Sequence, residues 1–168
     1  MTAPRRIVTG HDSAGVSCVI GDHALEGAPM IELWRTDGAD RFGGEPDGAF
    51  ALEPAAGGSC WRIVEVPPDA VTRAYFQRGV PGHDADGFHR TDTVDYVFIL
   101  EGEITLELDR GAVALSAGDC VVQRGTRHAW RNHGPGTVRM LCAMLSAAPA
   151  SAAIQPERDG ASRHGEQQ

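Results

Sequence analysis

His89, Asp95 and His128 are the residues of this chain whose types and positions could do chemistry together. Imidazole and carboxylate groups facing one cavity can hold a divalent metal or move protons. If residues 89–95 are extended, His89, Thr91, Thr93 and Asp95 share one face, and Arg90, Asp92 and Val94 share the other. By the same count His128, Trp130 and Asn132 share a face, with Gly125 supplying the tight turn before them. Packing these two segments face to face brings His128 near His89 and Asp95, with Thr91, Trp130 and Arg127 lining a substrate pocket. Arg35, Arg62, Arg73, Arg127 and Arg139 fall in strand-like runs, and one of them turned inward would favour a carboxylate-bearing substrate.

Positioning such groups takes a frame of strands. Gly and Pro, 21 and 10 in number, punctuate short apolar runs, a pattern that favours strands and turns over helices. In EITLEL, Ile104, Leu106 and Leu108 alternate with Glu103, Thr105 and Glu107, so one face meets a core and the other water. Asp109-Arg110-Gly111 then turns into AVAL, a hairpin. Further strands are expected at 16–20, 31–35, 60–66, 72–76, 94–100, 119–122 and 137–145, enough for an all-β sandwich or barrel. Residues 36–59 read as a loop excursion within one domain covering 1–146, and residues 147–168 as a flexible tail. The loop 77–90 is either a lid closing over substrate or a plain surface connection.

The stretch 82–132 resembles the two motifs of the cupin superfamily, G-x5-H-x-H-x3,4-E-x6-G and G-x5-P-x-G-x2-H-x3-N. His89 takes the first His position, Thr91 stands where a second His is usual, Asp95 replaces Glu, and Gly102 closes the first motif. In the second motif Gly118 opens, Gly125 and His128 are correctly spaced and Asn132 ends it, while Gln123 replaces Pro and one residue is missing before it. HRTDTVDY, FILEGEI and QRGTRHAWRN look like a subgroup of small single-domain cupins. The resemblance implies a jelly-roll β-barrel, a double-stranded β-helix, and a homodimer formed through edge strands. It also implies one divalent metal, Fe, Mn, Ni or Zn, held here by the two-His-one-carboxylate set His89, Asp95 and His128. His83 is a further nitrogen that could stand in for the ligand lost at Thr91. The metal-free alternative has Asp95 orienting one imidazole while the other exchanges a proton.

Composition narrows the partners. With 15 Lys and Arg against 23 Asp and Glu the formal charge is -8, which repels nucleic acid and anionic membrane and leaves a small-molecule substrate. No apolar run approaches the roughly 20 residues of a membrane span. Cys18, Cys60, Cys120 and Cys142 form no C-x-x-C pair and read as reduced thiols in a cytoplasmic protein, with Cys120 and Cys142 as packing residues. His11, His23, His133 and His164 read as structural. Two classes of function follow. One is a barrel enzyme acting on an organic-acid or carbonyl metabolite by dehydration, decarboxylation, isomerisation or cyclisation, or alternatively a non-haem metal dioxygenase. The other is a non-catalytic metabolite-binding protein.

Overall fold

Alternation in EITLEL becomes burial in β6 (Glu103–Leu108), where Ile104 and Leu106 are buried and Glu103 is exposed. The computed structural model describes residues 4–27, 29–40, 42–46 and 51–147. The other strands are β1 (Arg5–His11), β2 (Ser17–Ala24), β3 (Met30–Thr36), β4 (Ser59–Val66), β5 (Thr93–Glu101), β7 (Ala112–Ser116), β8 (Cys120–Arg124), β9 (His128–Arg131) and β10 (Val138–Ser146), with one helix, α1 (Asp69–Phe76). They form a five-stranded sheet in the order β3-β4-β10-β5-β8, a three-stranded sheet in the order β7-β6-β9, and a separate β1–β2 hairpin. Each named pair is antiparallel. The all-β expectation therefore holds.

The core lies between the two larger sheets. β5 turns Thr93, Asp95, Val97 and Ile99 inward, and β10 turns Val138, Met140, Cys142 and Met144 inward, so the two strands present matching buried faces at period two. Ile104, Leu106 and Leu115 close the core from the smaller sheet, with Trp130 packed against it. Asn132, only 1% exposed, ties β9 to β4 and to the following turn: its Nδ2 donates to Val66 O and Gly136 O, and its Oδ1 accepts from the Gly134 N–H.

The run 72–76, read as a strand from its Thr and Tyr content, is instead the second half of α1. Pro67 and Pro68 stop β4, and Asp69 in the first turn favours a helix start, local signals that outweigh strand propensity over five residues. β1 was not anticipated; its alternation is short, and only Arg6 within it is buried. Of the 36–59 excursion the described parts are ordered: Arg35 and Gly44 exchange backbone hydrogen bonds, and Ala51 O and Leu52 O accept from Arg62. The tail assigned to 147–168 lies outside the described residues from 148 onward.

Replacing Asn132 with Ala removes one buried and two partly buried hydrogen bonds. It is expected to lower unfolding stability by about 2–3 kcal/mol, read as a lower urea midpoint at unchanged slope.

Candidate active site

The imidazoles are brought together by the backbone, one strand position at a time. His89 and His128 exchange N–H to O hydrogen bonds of 2.9 Å in both directions, and His83 bridges His89 on the other side. Three residues from three segments thus stand in register at the edge of the smaller sheet. Directly opposed residues in an antiparallel pair point the same way, and the rings follow: His83 and His89 have centroids 4.2 Å apart, as do His89 and His128. Trp130 meets His128 edge-on at 5.9 Å, and Phe76 stacks on His83 at 5.1 Å, so five rings form one row. Gly125, at φ +59°, makes the turn that lets His128 enter β9, as its place in the sequence suggests.

Each imidazole is oriented in the same manner. Nδ1 of His89 lies 3.3 Å from Gly87 O, Nδ1 of His128 lies 2.9 Å from Thr126 O, and Nδ1 of His83 lies 3.1 Å from Pro81 O. A carbonyl only accepts, so Nδ1 carries the proton in each ring and Nε2 keeps its lone pair. Burial pushes the His89 imidazole down to about 3, with the neighbouring His128 and His83 adding to it. His128 is lowered as well, by burial first and then by His83, against the Thr126 carbonyl. Both rings are therefore neutral bases at physiological pH.

Asp95 is elsewhere. It is 5% exposed on the inward face of β5, opposite Gln123 of β8 and Met144 of β10, and no hydrogen bond or ion pair joins it to either histidine among the described residues. Its side chain interacts with Thr93 and with the charge of Arg62, but burial dominates and pushes its carboxyl above the usual carboxylate range. The expected orientation of an imidazole by Asp95 is thus made by backbone carbonyls instead. The strand begins at Thr93 and not at His89, so the shared parity of 89–95 does not carry His89 into the same row as Asp95.

The remaining pocket residues divide. Thr91 is buried, its Oγ1 2.7 Å from Thr93 Oγ1. Trp130 faces inward with His128. Arg127 does not: one residue before His128 it points outward, bonding Asp109 at 2.6 Å and Asp84 at 2.5 Å across the face of Phe88. Those ion pairs anchor the 84–88 turn, whose Phe88 and Asp86 N–H groups also bond Asp84 Oδ1. Of the five arginines singled out in the sequence, Arg62 is the buried one, and it is engaged by Glu32, Cys60 Sγ and the Ala51 and Leu52 carbonyls. Arg73 lies on α1. Gln123, 3% exposed, was passed over because it stood where the motif has Pro; its Oε1 and Asp95 Oδ1 are buried acceptors without a hydrogen-bond partner.

All four cysteines are free; Cys60 and Cys142 are buried, whereas Cys120, expected to pack, is exposed because its parity on β8 points out of the barrel. Among the described residues no group of three or more His, Cys, Asp or Glu is arranged to hold an ion, so His89, Asp95 and His128 are not assembled as a three-ligand set. Among the described residues, no helix is long and apolar enough to cross a membrane.

Residues 76–144, which contain the histidine row and its supporting strands, match the sequence pattern of the cupin domain family. The chain is 32% identical over 172 residues to phomopsin biosynthesis cluster protein D of Diaporthe leptostromiformis, covering 89% of this chain and 82% of that protein. It is 32% identical over 158 residues to the cupin-domain-containing oxidoreductase fogC of Aspergillus ruber, covering 83% and 71%. It is 28% identical over 162 residues to the cupin-domain-containing oxidoreductase virC of Hypocrea virens, covering 86% and 76%. Relatives that share most of their length with this chain, and a matched segment that spans both halves of the barrel, lead to one assignment: the chain belongs to the cupin domain family.

Proposed function

We propose that the protein is a small-molecule enzyme that moves protons on an organic-acid or carbonyl metabolite, in a lyase or isomerase type of reaction, with His89 and His128 as its bases. The observation that carries this reading is the place of each Nδ1 against a backbone carbonyl, which makes Nδ1 the donor and leaves the Nε2 lone pairs of buried His128 and half-buried His89 on rings 4.2 Å apart. An imidazole in this form can accept a proton from carbon beside a carbonyl, weakly at His89, whose proton affinity is held down to about 3. The pair takes up one proton at a time, because a second charge on a ring 4.2 Å away is repelled at close range. Asp95 has the opposite bias, since burial favours its protonated form, and it supplies a hydrogen bond to the oxygen on which charge develops. Asp95 Oδ1 and Gln123 Oε1 are buried acceptor atoms without a hydrogen-bond partner, available to meet a substrate. Relatives named for biosynthesis clusters support action on a small metabolite.

A second reading, oxidoreductase chemistry, is favoured by the names of three relatives. The side chains favour the first, because among the described residues His89, Asp95 and His128 are not assembled as the ligand set of a metal-dependent dioxygenase.

The test is turnover in D2O of a panel of enolisable oxo acids and hydroxy acids, followed by mass spectrometry. Deuterium incorporation, or loss of water or CO2, is expected with the native chain, falling by about 100-fold or more in His89→Ala and His128→Ala. Full turnover by His128→Ala would remove the imidazole pair from the chemistry, and dioxygen uptake without deuterium incorporation would support the oxidoreductase reading.

Burial of neutral imidazoles also sets an acid limit on stability. Between the unfolded value of 6.5 and the folded value of about 3, the unfolded chain binds a proton at His89 that the folded chain refuses, so stability rises with pH across that window and levels off above it. His128 acts in the same sense and Asp95 in the opposite one. In urea titrations from pH 4 to pH 7, His89→Gln is expected to flatten this slope by up to about 1.4 kcal/mol per pH unit.

A further inference from the structure

A cavity of about 470 Å³ lies between α1, the 84–88 turn and the three-stranded sheet. Its floor is Thr105, Glu107, Ala112 and Arg131, which have the parity opposite to Ile104, Leu106, His128 and Trp130 and so stand on the outer face of that sheet. The His128 ring is on the other side. The roof is one face of α1, where Asp69, Thr72, Arg73 and Phe76 follow the i, i+3, i+4, i+7 spacing of a helical stripe. A helix this short holds its shape mainly by packing such a stripe on a neighbour. Here the stripe is mostly polar and no residue of α1 is buried, so the helix stands off the sheet and leaves the gap. Half-buried Phe76 and Phe88 wall it. Phe88 is held by the guanidinium groups of Arg127 and Arg131, and Phe76 lies so close over Gly87 that a Cβ there would be 2.7 Å from its ring.

The charges around the cavity decide what fits it. Glu107 is matched by Arg131 at 2.6 Å, and Asp69 by His133 at 2.8 Å and by the Asn132 N–H at 2.9 Å. One cation and one anion are left over. Among the described residues the Arg73 guanidinium and the Asp86 carboxylate have no hydrogen-bond or ion-pair partner, and they do not pair with each other. We infer that this cavity binds a small zwitterion with an apolar side group, the chemistry of a free α-amino acid. The ligand carboxylate meets Arg73, whose guanidinium can donate two N–H groups to it, and the ligand ammonium donates to Asp86. The side group lies against Phe76 and Phe88. The volume falls within the roughly 300–1,000 Å³ of small-ligand sites. Neither Arg73 nor Asp86 belongs to the histidine row, so this site is separate from the one that carries the proposed chemistry.

Equilibrium dialysis of the intact chain against L-phenylalanine, 3-phenylpropionate and 2-phenylethylamine tests this. The first probe carries both charges, the second lacks the ammonium and the third lacks the carboxylate. L-phenylalanine is expected to bind more tightly than either of the others. Arg73→Gln is expected to weaken L-phenylalanine about fivefold and to leave 2-phenylethylamine unchanged. Asp86→Asn is expected to weaken L-phenylalanine by a similar factor and to leave 3-phenylpropionate unchanged. Both side chains are exposed and make no bond within the chain, so both variants are expected to keep the native far-ultraviolet circular dichroism. No saturable binding of L-phenylalanine at millimolar concentration, equal affinity for the three probes, or either variant binding L-phenylalanine as tightly as the native chain would each overturn the proposal.

Discussion

The reciprocal backbone pair between His89 and His128 is the contact on which the rest of the site depends. It joins the segment entering β5 to the free edge of β9, and so links the two sheets. It also sets the spacing of the rings, because directly opposed residues of an antiparallel pair have no freedom to drift apart. His83 on one side and Leu108 on the other continue the same row through backbone pairing alone.

The interior is divided electrostatically. In the histidine row, desolvation outweighs the charge of Asp84 near His89, and the imidazoles lose affinity for protons. Deeper in, Asp95 is buried among Thr93, Gln123 and the engaged Arg62 and gains it. Desolvation thus shifts a base and an acid in the directions that keep both uncharged, which is the least costly way to bury them. The two thiols beside Asp95 share that environment, and burial pushes Cys142 up to about 12, so it remains a packing group.

Much of this was legible in the chain. Alternation in 103–108 and turn residues at Gly102, Gly118 and Gly125 give the strands and their connections, and the spacing of His89 and His128 within two motifs gives the histidine pair. Asp95 could be placed on an inward face but not in a row, because where β5 begins depends on pairing with β10 and β8 and not on parity along 89–95. Arg127 was misplaced for a related reason: parity predicts which way a side chain points only after the register is known, and its attraction to Asp84 and Asp109 comes from segments distant in sequence. His83 had no local signal beyond its type, since its bridge to His89 closes a turn built around Asp84.

The carbonyl that orients each imidazole belongs to the residue two positions before it, in all three cases. Backbone carbonyls are present whatever the side chains, so the tautomer of the bases is written into the path of the chain. Pocket side chains such as Thr91, Gln123 or Trp130 can therefore be exchanged over evolutionary time without resetting which ring nitrogen is basic. A barrel built this way can change its interior side chains and keep the same ring nitrogens free of protons.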